Sequence, residues 1–287
     1  MSLTLPQAGE AWMHDFLDSL VVELKAGRVE LPSWSKVTER ARSALARQDL
    51  DNDELARLVG AEASLAVRIL TVANSALLTR GGRPLSDLRL AIMRIGHDNL
   101  RSTIYSHALA QLRQAPRLQH LRAALQQLWQ ESTTVAALTR LIALRTKGCD
   151  PDTALLAGLL HNIGKLYILA RLDDETSVTL DADSRAELLL GWHARIGAMV
   201  ASNWQLGDPL SQAIGAQDIF EATDSGQSRL GGTLAAAVIG ANAVGPVAET
   251  AAHLATFVHM GMDPTQWQAL LQNAKRESAA LRLTFGD

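Results

Sequence analysis

Cysteine is almost missing from this chain: Cys149 is the single one in 287 residues, so no internal disulfide can form. That suits a reducing compartment, and a cytoplasmic protein is the expectation. A positively charged start followed by an apolar run is also lacking. The opening MSLTLPQAGEAWMHDF has neither, so no secretory signal is read there. No run reaches the ~20 uninterrupted apolar residues of a membrane-spanning helix, and no membrane contact is expected. Excess positive charge is absent too. The net charge of −3 and pI near 6.2 leave no global basic field to hold nucleic acid or an acidic bilayer. Aromatic residues make up only 4%, and the sole strand-like run, 177–180, is too short to found a sheet. Neither GxxxxGK[ST] nor GxGxxG occurs, which removes the commonest phosphate-cradling loops.

What is there reads as helix. Ala, Leu and Arg dominate, and apolar residues recur at spacings of three and four. The composition, 47% hydrophobic and 20% charged, is that of a globular chain with a sizeable core. The pattern predicts helices near 10–26, 34–48, 52–60, 63–78, 86–95, 98–112, 118–146, 151–171, 183–205, 209–220, 228–244 and 264–281. Three corners share one punctuation, a glycine followed closely by Asp-Pro: Gly148 to Asp150-Pro151, Gly207 to Asp208-Pro209, and Gly261 to Asp263-Pro264. Glycine closes one helix, aspartate caps the next and proline suits its first turn. The polar stretch 223–229 reads as a loop. The fold class is all-α, divided as an N-terminal helix (1–27), a helical subdomain (28–112) and a helical bundle (113–287).

One stretch, 155–169, reads LLAGLLHNIGKLYIL and carries a polar notch, His161, Asn162 and Lys165, in an otherwise apolar helix. An apolar surface nearly all round marks a central helix. His161 and Lys165 are four apart and share a face, where they would hold an anion or mark an exposed edge. Asn162 has no negative charge and is a poor metal ligand. Buried polar groups held by hydrogen bonds remain the plainer alternative. Cys149 has no histidine near it in sequence, and His253 and His259, six apart, do not share a helical face. Gly81-Gly82 reads as a turn. Arg80, Arg83, Arg89, Arg94 and Arg101 cluster, but Asp87 and Asp98 among them favour a salt-bridged surface over a nucleic-acid interface. The tryptophans read as packing, with Trp129 and Trp192 placed beside any cleft.

LLAGLLHNIGKLYIL resembles the LLHDIGK helix of the HD superfamily of metal-dependent phosphohydrolases. Leu31-Pro32, DNDELARLVGAEASLAVRILTVANSALL (51–78) and RPLSDLRLAIMRIGHDNLRS (83–102) sharpen the likeness to the HDOD domain, the HD-related output domain of bacterial signalling proteins. The Ala73-Asn74-Ser75-Ala76 segment and Pro84-Leu85-Ser86-Asp87-Leu88 with Arg94-Ile95-Gly96 are its most distinctive parts. The likeness runs from about 31 to 219. It implies an HD-like bundle and a metal set of an early His, the His-Asp pair and a late Asp. Here Glu131 stands in the place of the early His, the pair is His161-Asn162, and Asn242 is nearest to the late Asp. Trp192-His193 keeps part of a further segment, and Ala216-Gln217 holds no histidine. Losing two aspartates sharply lowers affinity for a divalent ion, so no metal or other cofactor is expected; Glu131 and His161 are the residues that would hold one. The implied function is a non-catalytic signalling or regulatory module. Its cleft would be lined by Glu131, His161, Asn162, Lys165, His193 and Asn242. Other signalling proteins are its implied partners, with a small anionic ligand or nucleotide as a further candidate. The alternatives are a divergent metal-dependent phosphohydrolase acting on a nucleotide or phosphoester, and a nucleic-acid-binding regulator.

Overall fold

The apolar run 151–172 is long and apolar enough to cross a membrane by length and composition, yet 89% of its most apolar window is buried inside the protein. It is the axle of the bundle. A computed structural model of the chain describes residues 7–27, 35–45, 51–75, 83–174, 181–218, 228–242 and 262–285. Leu31-Pro32, Trp34, Ala76, Arg80, Gly81-Gly82, the run 177–180, the 223–227 part of the polar loop, His253, His259 and Gly261 lie outside the described residues.

All regular elements in the described residues are helical, as the composition predicts. They are α1 (Gln7–Lys25), α2 (Lys36–Leu45), α3 (Asn52–Gly60), α4 (Ala63–Ala73), α5 (Leu88–Arg113), α6 (Arg122–Ala143), α7 (Pro151–Leu160) and α8 (Ile163–Asp174). Then come α9 (Ala182–Asn203), α10 (Asp208–Gly215), α11 (Arg229–Asn242) and α12 (Pro264–Phe285). A 3-10 turn, Pro116–Leu121, leads into α6 where a continuous helix from 118 is predicted; Pro116 opens it. The gap predicted between 95 and 98 is a kink within α5 at Gly96, whose φ of 72° takes the chain through a left-handed conformation.

The Asp-Pro corners behave differently from one another. Asp150 caps α7 by accepting from the Thr153 amide at 2.7 Å, and Asp263 caps α12 by accepting from the Gln266 amide at 2.8 Å. Gln266 answers by accepting from the Asp263 amide at 3.0 Å, a reciprocal capping box. At the middle corner the expected aspartate cap is not made. Gly207, at φ 89°, is itself the residue before the helix, and Asp208 falls inside its first turn.

Helices α2, α3 and α4 pack on α5, and a buried polar cluster pins them together. Glu62, at the start of α4, accepts from His107 Nε2 and Gln111 Nε2 of α5, each at 2.8 Å, and from Ser35 at the start of α2. Burial pushes the Glu62 carboxyl up, but the hydrogen bonds from Ser35, His107 and Ser64 outweigh it and leave its pKa below the ordinary value. In the second layer α7 lies along α6, flanked by α10 and α11, while α8 and α9 pair beside it. α12 lies on α6 and reaches α4, where Arg68 donates to the Thr284 carbonyl at 3.3 Å. α1 sits on α9 and is tied there by Asn203 to the Leu24 carbonyl at 2.9 Å.

Candidate functional site

The single helix predicted over 151–171 is broken at His161-Asn162 into α7 and α8. Side chains take the carbonyls at the break. His161 Nδ1 bonds the Gly158 carbonyl at 2.7 Å, and Gln217 Nε2 donates to the His161 carbonyl at 2.9 Å. In an unbroken helix those carbonyls would serve the amides of residues 162 and 165. The polar notch thus sits at a joint where two other helices press in.

Two glycines let them. A Cβ on Gly158 would stand 2.6 Å from the Ala136 amide nitrogen of α6. One on Gly164 would stand 2.7 Å from the Gly197 amide nitrogen of α9, and closer still to the His193 carbonyl oxygen. The bare backbone brings α6 against one side of the joint and α9 against the other. Glu131 rides in on α6 and His193 on α9.

A cleft of about 260 Å³ opens there. Its wall includes Glu131, His161, Lys165, His193 and Asn242, so five of the six residues expected at the site come together. Asn162 does not reach the wall. It is fully buried behind it, where its Nδ2 donates to Glu131 Oε2 at 3.4 Å and its Oδ1 has no hydrogen-bond partner. Glu131 Oε1 accepts from Gln127 at 3.0 Å. Trp129 and Trp192 are not on the wall either. Trp129 is buried with the Arg113 guanidinium 4.6 Å from its ring centroid, and Trp192 meets Arg195 at 5.2 Å. Both indoles face arginines in place of the cleft.

Asp218, not among the residues expected from the sequence, completes the wall beside Gln217. It follows α10 directly, and no spacing in the sequence links it to His193; the α9–α10 corner alone does so. His193 Nδ1 donates to the Leu189 and Leu190 carbonyls at 2.9 and 3.2 Å, which turns Nε2 toward Asp218 Oδ2 at 3.4 Å. With both ring nitrogens protonated, His193 donates from Nε2 as well, and that bond holds the Asp218 carboxyl below the usual carboxylate range, against the opposing effect of burial. His161 differs from His193. Burial pushes its pKa down to about 3, with the Lys165 ammonium adding to the effect. It is therefore a neutral imidazole at physiological pH. With Nδ1–H given to a carbonyl, its lone pair lies on Nε2.

Among the described residues no three His, Cys, Asp or Glu side chains converge as a metal-holding group. Three of the five clustered arginines are occupied elsewhere. Arg89 pairs with Asp53 at 2.5 Å, Arg94 donates to the Arg83 carbonyl at 3.0 Å, and Arg101 donates to the Leu45 carbonyl at 3.3 Å.

A family model described as HDOD domain matches residues 31–220. An uncharacterized protein of Treponema pallidum (strain Nichols) is 28% identical over 200 residues, 64% of this chain; the match spans only 36% of that relative's own length. Solved structures share the fold over nearly the whole chain. An HDOD domain protein of unknown function from Geobacter sulfurreducens is 25% identical with a TM-score of 0.63, covering 93% of this chain and 97% of that one. A Shewanella amazonensis SB2B protein, whose name suggests a metal-dependent phosphohydrolase, is 24% identical with a TM-score of 0.68, covering 93% and 99%. One from Marinobacter aquaeolei VT8, named for a suggested role in signal transduction, is 21% identical with a TM-score of 0.60, covering 99% and 67%.

Proposed function

The chain belongs to the HDOD domain family, and from that premise we propose that it is a non-catalytic signalling or regulatory module acting through protein or small-ligand contacts. The observation that carries this reading is the hydrogen bond from Asn162 to Glu131. A hydrolase of this fold needs a cluster of anionic and imidazole ligands to hold a cation and acidify a bound water. Here Glu131 accepts from the neutral amides of Asn162 and Gln127, Asn242 adds another neutral amide to the wall, and the Lys165 ammonium stands there too. This donor set does not fit a tightly held divalent ion, and no hydrolytic step is derived through one. The arginines bound to carbonyls and carboxylates likewise speak against a nucleic-acid interface.

The enzymatic alternative keeps one support: His161 is neutral and presents a free Nε2 toward the cleft, as a metal ligand would. Elemental analysis of the purified protein separates the two readings, combined with a phosphatase and phosphodiesterase screen in Mn²⁺, Mg²⁺ and Fe²⁺. The expected result is substoichiometric metal and no turnover. Stoichiometric metal with metal-dependent turnover that disappears in His161→Ala would overturn the proposal.

A further inference from the structure

Two charges on the cleft wall are left over once the internal hydrogen bonds are assigned. Glu131 receives only the neutral donors Gln127 and Asn162, and no cation pairs with it among the described residues. The Lys165 ammonium makes no ion pair with a carboxylate among the described residues, although its charge acts on Asp218 across the wall. Asp218, by contrast, faces His193 Nε2 at 3.4 Å, an ion pair when that imidazole is protonated. His161, on the same wall, adds an acceptor, because its Nδ1–H is fixed on the Gly158 carbonyl and its lone pair is left on Nε2. The cleft therefore offers a carboxylate and an ammonium that make no ion pair among the described residues, and one lone pair, within about 260 Å³.

We propose that this cleft binds a free amino acid: Glu131 and His161 Nε2 take the ligand's ammonium, and Lys165 takes its carboxylate. Charge complementarity selects this class over its rivals. A phosphate ester would bring two negative charges toward Glu131, with Lys165 alone to offset them. A simple cation would leave Lys165 unmatched and face its repulsion. A zwitterion meets both groups without adding net charge, and two charge-assisted pairs offset the desolvation of its own ends.

The inference rests on the binding, not hydrolytic, reading of the cleft given above. Thermal shift and titration calorimetry on the full chain test it. Free α- and ω-amino acids are tried singly at millimolar concentration, beside inorganic phosphate and AMP. A subset of amino acids should raise Tm saturably, with phosphate and AMP inert. Glu131→Gln and Lys165→Met should each weaken binding about tenfold or more. The decarboxylated analogue of the best ligand should be indifferent to Lys165→Met, and its deaminated analogue indifferent to Glu131→Gln. Absence of amino-acid binding overturns the proposal; so does tighter binding of phosphate or AMP, or affinity unchanged in both variants. Those failures leave the regulatory reading intact, whereas metal-dependent turnover removes that reading whatever the amino acids do.

Discussion

His161 carries a thermodynamic signature that follows from its burial. Its folded pKa, about 3, lies below the ordinary 6.5, so between those values the unfolded chain binds more protons than the folded one. Stability is complete above pH 6.5 and falls as the pH drops toward 3. Within that window the loss is about 1.4 kcal/mol per pH unit. Urea unfolding at pH 7 and pH 5 should show this slope, and His161→Gln should flatten it. Asp218 and Glu62, whose folded pKa values are also depressed, add their own slopes nearer the carboxylate range. Asn162 gives a second residue-scale prediction. Asn162→Asp replaces an N–H donor by a carboxylate facing Glu131, and should destabilise the metal-free protein by on the order of 1–3 kcal/mol at pH 7. Differential scanning fluorimetry in EDTA should report a lower Tm, which Mn²⁺ partly restores. An unchanged Tm in EDTA would show that the Asn162 N–H is not what holds Glu131. The sequence made His161 and Asn162 legible through their apolar surroundings. It could not show that one faces the cleft while the other hides behind it, because the joint between α7 and α8 decides that.

Helices α6 and α9 reach the joint only because Gly158 and Gly164 carry no side chains. Gly164→Ala would drive a methyl into the backbone of α9 and should cost about 2–3 kcal/mol in chemical denaturation. Gly191→Ala is the control. Gly191 also lies inside α9, but nothing stands within 4 Å of its would-be Cβ, so that change should be neutral or stabilise by about 0.5–1 kcal/mol. Equal destabilisation by both would mean that close approach is not what Gly164 provides. Element positions were readable from apolar spacing and from the caps at Asp150 and Asp263. The break at His161-Asn162 was not, since a run that is apolar on every face gives no signal of a joint. Nor was the Glu62–His107–Gln111 cluster: its members lie 45 and 49 residues apart in sequence and meet only where α4 packs on α5.

The two layers of the molecule are joined through α5 on α7 and through α12, which lies on α6 and reaches α4. Trp267 anchors α12. It is fully buried, and a Cβ on Gly240 of α11 would lie 2.6 Å from its ring. Trp267→Ala should remove about 3–5 kcal/mol. Its unfolding transition should broaden if α12 couples the layers, and a sharp, merely shifted transition would argue that it does not. The sequence by itself determined the all-α class, most helix positions and the family, because local spacing, caps and short motifs are written in neighbouring residues. Of the six residues it proposed for the cleft, chiefly through a resemblance that carries positions, five line the wall. Only the tertiary structure decided that Asp218 joins the cleft, that Asn162 withdraws from it, and that Glu131 and Lys165 share one wall with no ion pair among the described residues. Those are relations between helices distant in the chain, set by how closely bare glycine backbones let them approach.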